Sequence, residues 1–122
     1  MHKVEIQWLD DVEDKDYPAA LSYLSLIYMP EQAAAFVNAL RDATLTEFKA
    51  KDIFRASALS LLGISNFHVE KDREKILTGK PLSPLLLVRD TTNGKVIIAD
   101  GYHRMCAIYE FDEDAWIRCK II

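Results

Sequence analysis

"VIIADGYHRMCAIY", Val96 to Tyr109, is the stretch that decides the fold, because a buried strand turns into a helix within it. A β-branched apolar run ends at Asp100, and after a glycine the apolar residues continue with helical spacing. The preceding segment, "PLLLVRD", is another apolar strand, and Asn93-Gly94 between the two strands is a strong hairpin signal. The pattern predicts strands near 85–90 and 95–100 and a helix over 102–111.

The rest of the chain predicts two further strands. "KVEIQWL" alternates apolar and polar residues and predicts a half-buried strand near 3–9. "WIRCKII" predicts a closing strand near 115–121, which follows the acidic turn "DEDA". Its two faces carry Ile117, Cys119 and Ile121 on one side and Trp116, Arg118 and Lys120 on the other.

Helices are predicted throughout residues 18–62, where Pro18 and Pro30 fit the first turns of two helices. The capping-box pattern Thr44–Glu47 predicts the start of a third helix, for which Gly63 is a plausible end. Asn66 predicts the cap of a fourth helix, which glycine and proline end within Thr78–Pro81. The chain is therefore expected to form a single α+β domain over residues 1–122, with helices packed on a small mixed sheet.

Length, charge and cysteine usage limit the function classes. The chain has 122 residues and a net charge of −4, and no apolar run approaches the ~20 residues of a membrane span. The first ten residues lack an apolar signal core, so a cytoplasmic protein with no membrane partner is expected. Cys106 and Cys119 are expected to be thiols in that compartment. An acidic chain without a basic stripe makes DNA an unlikely partner.

The junction Asp100–Arg104 has the residue types that a phosphate cradle needs. Amides at a helix start have no intrahelical partner, and the helix dipole favours an anion there. Gly101 permits close approach, Arg104 offers a charged fork of donors, and His103 can transfer a proton near neutral pH. In that case Arg104 awaits a ligand and contributes little to the stability of the fold.

A structural interpretation of the same residues stays open. Asp100 is also a typical helix cap, and Arg104 has two possible acidic partners, Asp100 itself and the "DEDA" turn. His103 is then a surface residue.

Other charged residues near this junction are weaker candidates. Lys71 and Lys75 are interpreted as part of a solvated helix face, from which one lysine could reach the pocket. Lys80 is the better phosphate candidate, because it sits in the turn that leads into the pocket strand. His68 is interpreted as a surface or cap residue, and its spacing from His103 does not favour a metal site. The acidic segment "DDVEDKD" is interpreted as a solvated turn, with an acidic docking site as the alternative.

The segment "SPLLLVRDTTNGKVIIADGYHRMCAIYEFDEDAWIRCKII" resembles the core of the ParB/sulfiredoxin superfamily, and the likeness covers roughly residues 66–122. Residues 18–62 are then a helical insertion. The resemblance implies a nucleotide-phosphate site at the glycine-basic helix start, as for CTP in the ParB branch and for ATP in sulfiredoxin and a free serine kinase. Ser83 falls near a polar residue that lines the pocket in the family.

Departures from the family pattern limit what the resemblance implies. Gly101, His103 and Arg104 match sulfiredoxin, but Tyr102 stands where that enzyme has its catalytic cysteine, so sulfinic acid reduction is not expected. The helix-turn-helix DNA module of the ParB branch does not follow the last strand, so a role in DNA partition is not expected either.

Two functions from different classes follow. The first is a nucleotide-binding domain, with phosphoryl transfer or an NTP-driven switch as its activity and a nucleoside triphosphate with magnesium as its ligand. His103 and Asp100 are its catalytic candidates, and its phosphate contacts are expected from Gly101, Tyr102, His103, Arg104, Lys80 and Ser83. The second is a non-catalytic interaction module with a vestigial pocket, in which the helical part binds a protein. The alanine-rich helix over 31–43 makes a homodimer an open possibility.

Overall fold

The computed structural model of the chain describes residues 5–60 and 66–122. These residues form an α+β fold, as the sequence predicts. Its elements are α1 (Asp16–Leu24), α2 (Pro30–Asp42), β1 (Thr46–Lys49), α3 (Ala50–Ser57), α4 (Phe67–Leu77), β2 (Leu85–Asp90), β3 (Lys95–Asp100), α5 (Tyr102–Phe111) and β4 (Trp116–Ile121).

The four strands form one mixed sheet in the order β1-β4-β2-β3. β2 and β3 are the predicted hairpin, and Gly94 in its turn has a φ of 66°. β4 returns parallel to β2 and antiparallel to β1. Because β3 runs directly into α5 through Gly101, the hairpin fixes the position at which α5 starts.

Alternating residues of β2 are buried on opposite faces of the sheet. Leu85 and Leu87 belong to a core that includes Ile53, Val69 and Met105 and joins the sheet to α3, α4 and α5. Leu86 and Val88 belong to a second core with α1 and α2. The sheet therefore lies between two helical layers, which explains why the "LLLV" run is apolar on both faces.

Two predicted elements are wrong. The capping-box segment does not open a helix, because Thr46–Lys49 pairs with β4 as an edge strand, and α3 starts only at Ala50. The predicted strand near 3–9 is not a strand over residues 5–9, and residues 3 and 4 lie outside the described ranges. Trp8 makes only an isolated parallel bridge to Leu82, and the edge position beside β4 belongs to β1.

Local capping hydrogen bonds, glycine and proline set the ends of α2 and α4. The side chain of Asn66 accepts hydrogen bonds from the backbone N–H groups of His68 and Val69, so the predicted cap of α4 is confirmed. α4 ends at Leu77 and Gly79 follows with a φ of 73°. Pro30 begins α2 as predicted. The predicted helix end at Gly63 lies outside the described residues.

β4 shows the predicted alternation with one unexpected burial. Ile117 and Cys119 are fully buried on one face, whereas Lys120 on the other is only 4% exposed. The Nζ atom of Lys120 donates to Tyr17 Oη at 3.0 Å and to the carbonyl oxygen of Arg41 at 2.9 Å. Lys120 thus adds hydrogen bonds, and an ion pair with Asp11 at 3.7 Å, to the apolar contacts that join the sheet to α1 and α2.

Cys106 and Cys119 are both buried thiols. Burial raises the pKa of the Cys119 thiol to about 12, so this sulfur is an inert core group at neutral pH. Among residues 5–60 and 66–122, no helix combines the length and the apolar character that crossing a bilayer requires.

Candidate anion-binding site

A polar cavity of about 290 Å³ opens where β3 meets α5. Four parts of the chain line it: the segment leading into α1, helix α4, the loop before β2, and the β3–α5 junction. The lining residues are Glu13, Lys15, Asp16, His68, Lys71, Asp72, Lys75, Pro81, Leu82, Ser83, Asp100, Gly101, His103 and Arg104. Five predicted site residues therefore share this cavity: Ser83, Asp100, Gly101, His103 and Arg104.

Gly101 is required by the fold at this junction. It is the N-cap of α5 with a φ of 103°, a conformation that side chains with a Cβ disfavour. A Cβ atom there would lie 2.6 Å from Leu85 Cγ and 3.0 Å from Arg104 Nη2. The glycine thus lets the chain turn sharply against β2 and start α5 beside the cavity, where the first amides of a helix have no intrahelical partner.

Arg104 is committed to acidic partners within the protein. Its Nη2 atom donates to Asp100 Oδ2 at 2.6 Å, and its Nη1 atom donates to Asp16 Oδ2 at 3.2 Å. Nη1 also donates to the carbonyl oxygen of Ser83 at 2.9 Å. The pairing of Arg104 with Asp100 that the structural interpretation suggested is therefore present, whereas Asp100 does not cap α5, since Gly101 occupies that position.

Ser83 links the same cluster to the segment before α1. Its hydroxyl donates to Asp16 Oδ2 at 2.6 Å and accepts from the backbone N–H of Glu13 at 3.0 Å. Asp16 is only 6% exposed, and its carboxylate accepts hydrogen bonds from Ser83 and Arg104 and also interacts with the Asp100 carboxyl. Ser83 thus lines the cavity, but its hydroxyl is engaged in hydrogen bonds with Asp16 and Glu13.

Two carboxylates therefore share one guanidinium at this wall. Burial raises the pKa of Asp100 to about 6, the positive charge of Arg104 opposes that rise, and the nearby Asp16 carboxylate adds to it. At neutral pH the three side chains carry a net negative charge beside the start of α5. Near pH 6 Asp100 changes its charge.

Helix α4 contributes an imidazole and a carboxyl to the cavity, His68 and Asp72, and α5 contributes the imidazole of His103. The His68 and His103 rings lie 4.9 Å apart between centroids. Burial raises the pKa of Asp72, and the charges of Arg104, Lys75 and both histidines act against that rise. Burial and the neighbouring His68 lower the pKa of His103, so His103 is mostly neutral at pH 7 and can accept a proton.

Two predicted phosphate contacts lie elsewhere. Lys80 lines an adjacent cavity together with Lys71, Glu74, Lys75 and Thr78. The Tyr102 hydroxyl donates to the carbonyl oxygen of Ser60, so its side chain is engaged outside the 290 Å³ cavity. Lys71 and Lys75 of α4 line the 290 Å³ cavity. The sequence indicated chiefly a solvated helix face for these two lysines.

Asp16 and Asp72 are the site residues that sequence reasoning missed. Asp72 follows His68 by four positions on α4, and this spacing places both on one helix face. Asp16 had no such signal, since it is 88 positions from Arg104 and reaches it only through the packing of α1 beside β3.

Within residues 5–60 and 66–122, no group of three or more His, Cys, Asp or Glu side chains is placed to hold a metal ion. No family model, curated protein or solved structure matches the chain. The resemblance of residues 66–122 to the ParB/sulfiredoxin superfamily therefore stays a prediction from the sequence.

Proposed function

We propose that this protein binds a small phosphate-bearing molecule in the cavity at the start of α5, and that a nucleoside triphosphate with magnesium is the first candidate. One observation carries the proposal: the N-terminus of α5 lies at a polar cavity that lysines from two other elements also line. Unpartnered amides and the positive end of the helix dipole favour an anion at such a place.

The charges around the cavity support an anionic ligand on the α4 side. Lys71 and Lys75 come from α4, and Lys15 comes from the segment leading into α1. On the other side, Arg104 offsets much of the charge of Asp16 and Asp100. A phosphate in the cavity would thus meet Lys71 and Lys75 of α4 and the imidazoles of His68 and His103, beside the carboxyl of Asp72.

The size of the cavity favours a small ligand or the phosphate end of a larger one. Ligand pockets usually enclose roughly 300–1,000 Å³, and this cavity of about 290 Å³ is at the lower limit. Its lining offers few apolar side chains, chiefly Pro81 and Leu82, for contact with a nucleobase. We infer that the phosphates enter the cavity and that a base, if present, lies at its mouth.

His103 is the stronger of the two catalytic candidates. Its imidazole lines the cavity and its lowered pKa keeps it neutral, whereas Asp100 is held by Arg104 at 2.6 Å. Phosphoryl transfer to a hydroxyl or to water would use His103 as the proton acceptor. Both roles stay predictions.

Thermal unfolding with candidate ligands tests the proposal. ATP, CTP and GTP, each with magnesium, and inorganic phosphate alone are added to the wild-type protein. A ligand at one hundred times its Kd stabilises the fold by about 2.7 kcal/mol, which raises the melting temperature measurably. Lys71→Met and Lys75→Met should reduce the shift, whereas Lys95→Met, in the hairpin and outside this cavity, should not. No shift with any of these ligands would contradict the proposal.

The second candidate function is the interaction module, and one surface favours it. Leu26, Ile27 and Met29, between α1 and α2, are 85%, 47% and 71% exposed. Large apolar side chains exposed close together in the sequence favour a protein-binding role for this connection. If this surface binds a second copy of the chain, light scattering should detect a dimer that Leu26→Ser and Met29→Ser abolish. A monomer at every concentration would exclude self-association through it.

A further inference from the structure

We propose, resting on the proposed function, that the cavity binds its anionic ligand together with one proton, which Asp100 takes up as Arg104 is released toward the ligand. The structural basis is the sharing of one guanidinium by two carboxylates at the wall of the cavity. The Arg104 Nη2 atom lies 2.6 Å from Asp100 Oδ2, and its Nη1 atom lies 3.2 Å from Asp16 Oδ2. All three side chains are largely buried, with exposures of 14% for Arg104, 20% for Asp100 and 8% for Asp16.

With both carboxylates ionised, Arg104 offers little to a ligand. An incoming dianion would meet a cluster of net charge −1 and would compete with Asp100 for the guanidinium. Bringing like charges together in a partly buried site is unfavourable, and protonation of one carboxyl relieves the repulsion. The protonated Asp100 still accepts a hydrogen bond through its carbonyl oxygen but no longer neutralises the arginine.

Asp100 is better suited than Asp16 to take the proton. Asp16 is already engaged by two donors, the Ser83 hydroxyl at 2.6 Å and Arg104 Nη1 at 3.2 Å. Asp100 has a pKa of about 6, so its protonation requires little free energy near neutral pH. Asp100 directly precedes Gly101, the N-cap of α5, so its carboxyl lies beside the start of that helix.

Other titratable and charged groups line the same cavity as Asp100, and their protonation must be distinguished from that of Asp100. From α5 come Arg104 and His103, and from the α1 side come Glu13, Lys15 and Asp16. From α4 come His68, Lys71, Asp72 and Lys75. Asp72 and His103, whose pKa values burial also shifts, are the groups that the experiment must distinguish from Asp100.

The pKa of Asp100 with and without sulfate is the direct test. Sulfate stays a dianion throughout this pH range, so it adds no titration of its own. Carbon-detected NMR follows the side-chain carboxyl of Asp100 from pH 4 to pH 8, and Asp100→Asn identifies its signal. A tenfold preference of sulfate for the protonated form raises the pKa by about one unit, because the coupling between the two ligands is reciprocal.

Calorimetry of sulfate binding provides the second arm. For the wild-type protein, Kd should increase above pH 6 with a slope that approaches about tenfold per pH unit. In Asp100→Asn, most of this pH dependence of Kd should be lost. In Asp72→Asn and His103→Gln, the contribution of Asp100 to the pH dependence should remain. Heats measured in two buffers of different ionisation enthalpy give the number of protons taken up by the wild-type protein without any substitution.

The outcomes separate this inference from the proposed function. If sulfate and the nucleotides bind but the pKa of Asp100 does not rise, proton uptake is wrong and the binding site stands. If the pH slope persists in Asp100→Asn and disappears in His103→Gln, the imidazole is the proton acceptor and the inference is overturned. If no anion binds between pH 5 and pH 8, both proposals fall.

Discussion

Arg104 pairs with two carboxylates that reach it from different parts of the chain, Asp100 one turn before it and Asp16 from α1. The sequence suggested an arginine that waits for a ligand, so that its removal would leave the unliganded fold nearly unchanged. The two ion pairs reverse that expectation, because removal of a buried cation leaves its partners uncompensated. A ligand role for Arg104 then depends on whether an anion can displace one of them.

Arg104→Ala should lower the free energy of unfolding by about 3–5 kcal/mol at pH 7.5, since two largely buried carboxylates lose their cation. The loss should be smaller at pH 5, because Asp100 has a raised pKa of about 6 and is neutral there. Urea denaturation at the two pH values measures both quantities. Arg55→Ala, which removes an exposed pair with Asp52, is the matched control and should have little effect. Equal losses at both pH values would contradict the assigned protonation of Asp100.

Gly101→Ala should destabilise the protein more than Gly94→Ala. Both glycines have positive φ, but a Cβ at Gly94 has open space around it, whereas one at Gly101 overlaps the side chain of Leu85. Backbone strain contributes roughly 1–3 kcal/mol at such positions, and the overlap adds to it at Gly101 only. Chemical denaturation of both variants gives the comparison, and similar losses would show that the tight approach to Leu85 does not matter.

At the scale of elements, the hairpin, α5, β4 and the cap of α4 were predictable because each depends on local chemistry. The Asn93-Gly94 turn and the Asn66 cap act within a few residues. β1 was not predictable, because "TLTE" satisfies a helix-capping pattern and only its pairing with β4, about seventy residues later, makes it a strand. The lysines and histidine of α4 were visible in the sequence, but the packing of α4 against α5 brings His68 to His103 and places Lys71 and Lys75 in the same cavity.

The Asn66 cap fixes the first turn of α4, which carries His68 toward the cavity. Asn66→Ala should lower stability by about 1 kcal/mol, while Asn66→Asp, which keeps an oxygen acceptor, should lower it much less. Hydrogen exchange of the α4 amides should rise in the alanine variant. Unchanged exchange in that first turn would mean that packing, rather than the cap, holds the helix start.

At the scale of the whole molecule, two helical layers meet one sheet, and polar contacts join parts that the sequence keeps apart. The pairing of Asp16 with Arg104 and that of Lys120 with Tyr17 connect the α1 layer to the other half of the fold. Neither pair has a local sequence signal, since its partners are 88 and 103 positions apart. Fold class follows from patterns within elements, whereas the cavity depends on these long-range pairs.

Lys120→Met tests how much one such contact contributes. Methionine keeps the buried length of the side chain but removes the donor to Tyr17 Oη and to the Arg41 carbonyl oxygen. Leaving these groups without their partner should lower the free energy of unfolding by about 1–3 kcal/mol. Lys95→Met, at an exposed position of the hairpin, should stay close to wild type. A Lys120→Met protein as stable as wild type would show that apolar packing alone suffices there.

The central claim is that an anion binds at the first amides of α5, and a backbone ¹H–¹⁵N NMR titration tests it most directly. Inorganic phosphate, and then ATP with magnesium, is added to the labelled wild-type protein at pH 6. We predict saturable shifts that are largest at the amides of Tyr102, His103 and Arg104, with smaller ones along the cavity-facing side of α4. The amides of β1 should not move. No saturable shift at residues 102–104, or shifts concentrated elsewhere, would contradict the claim.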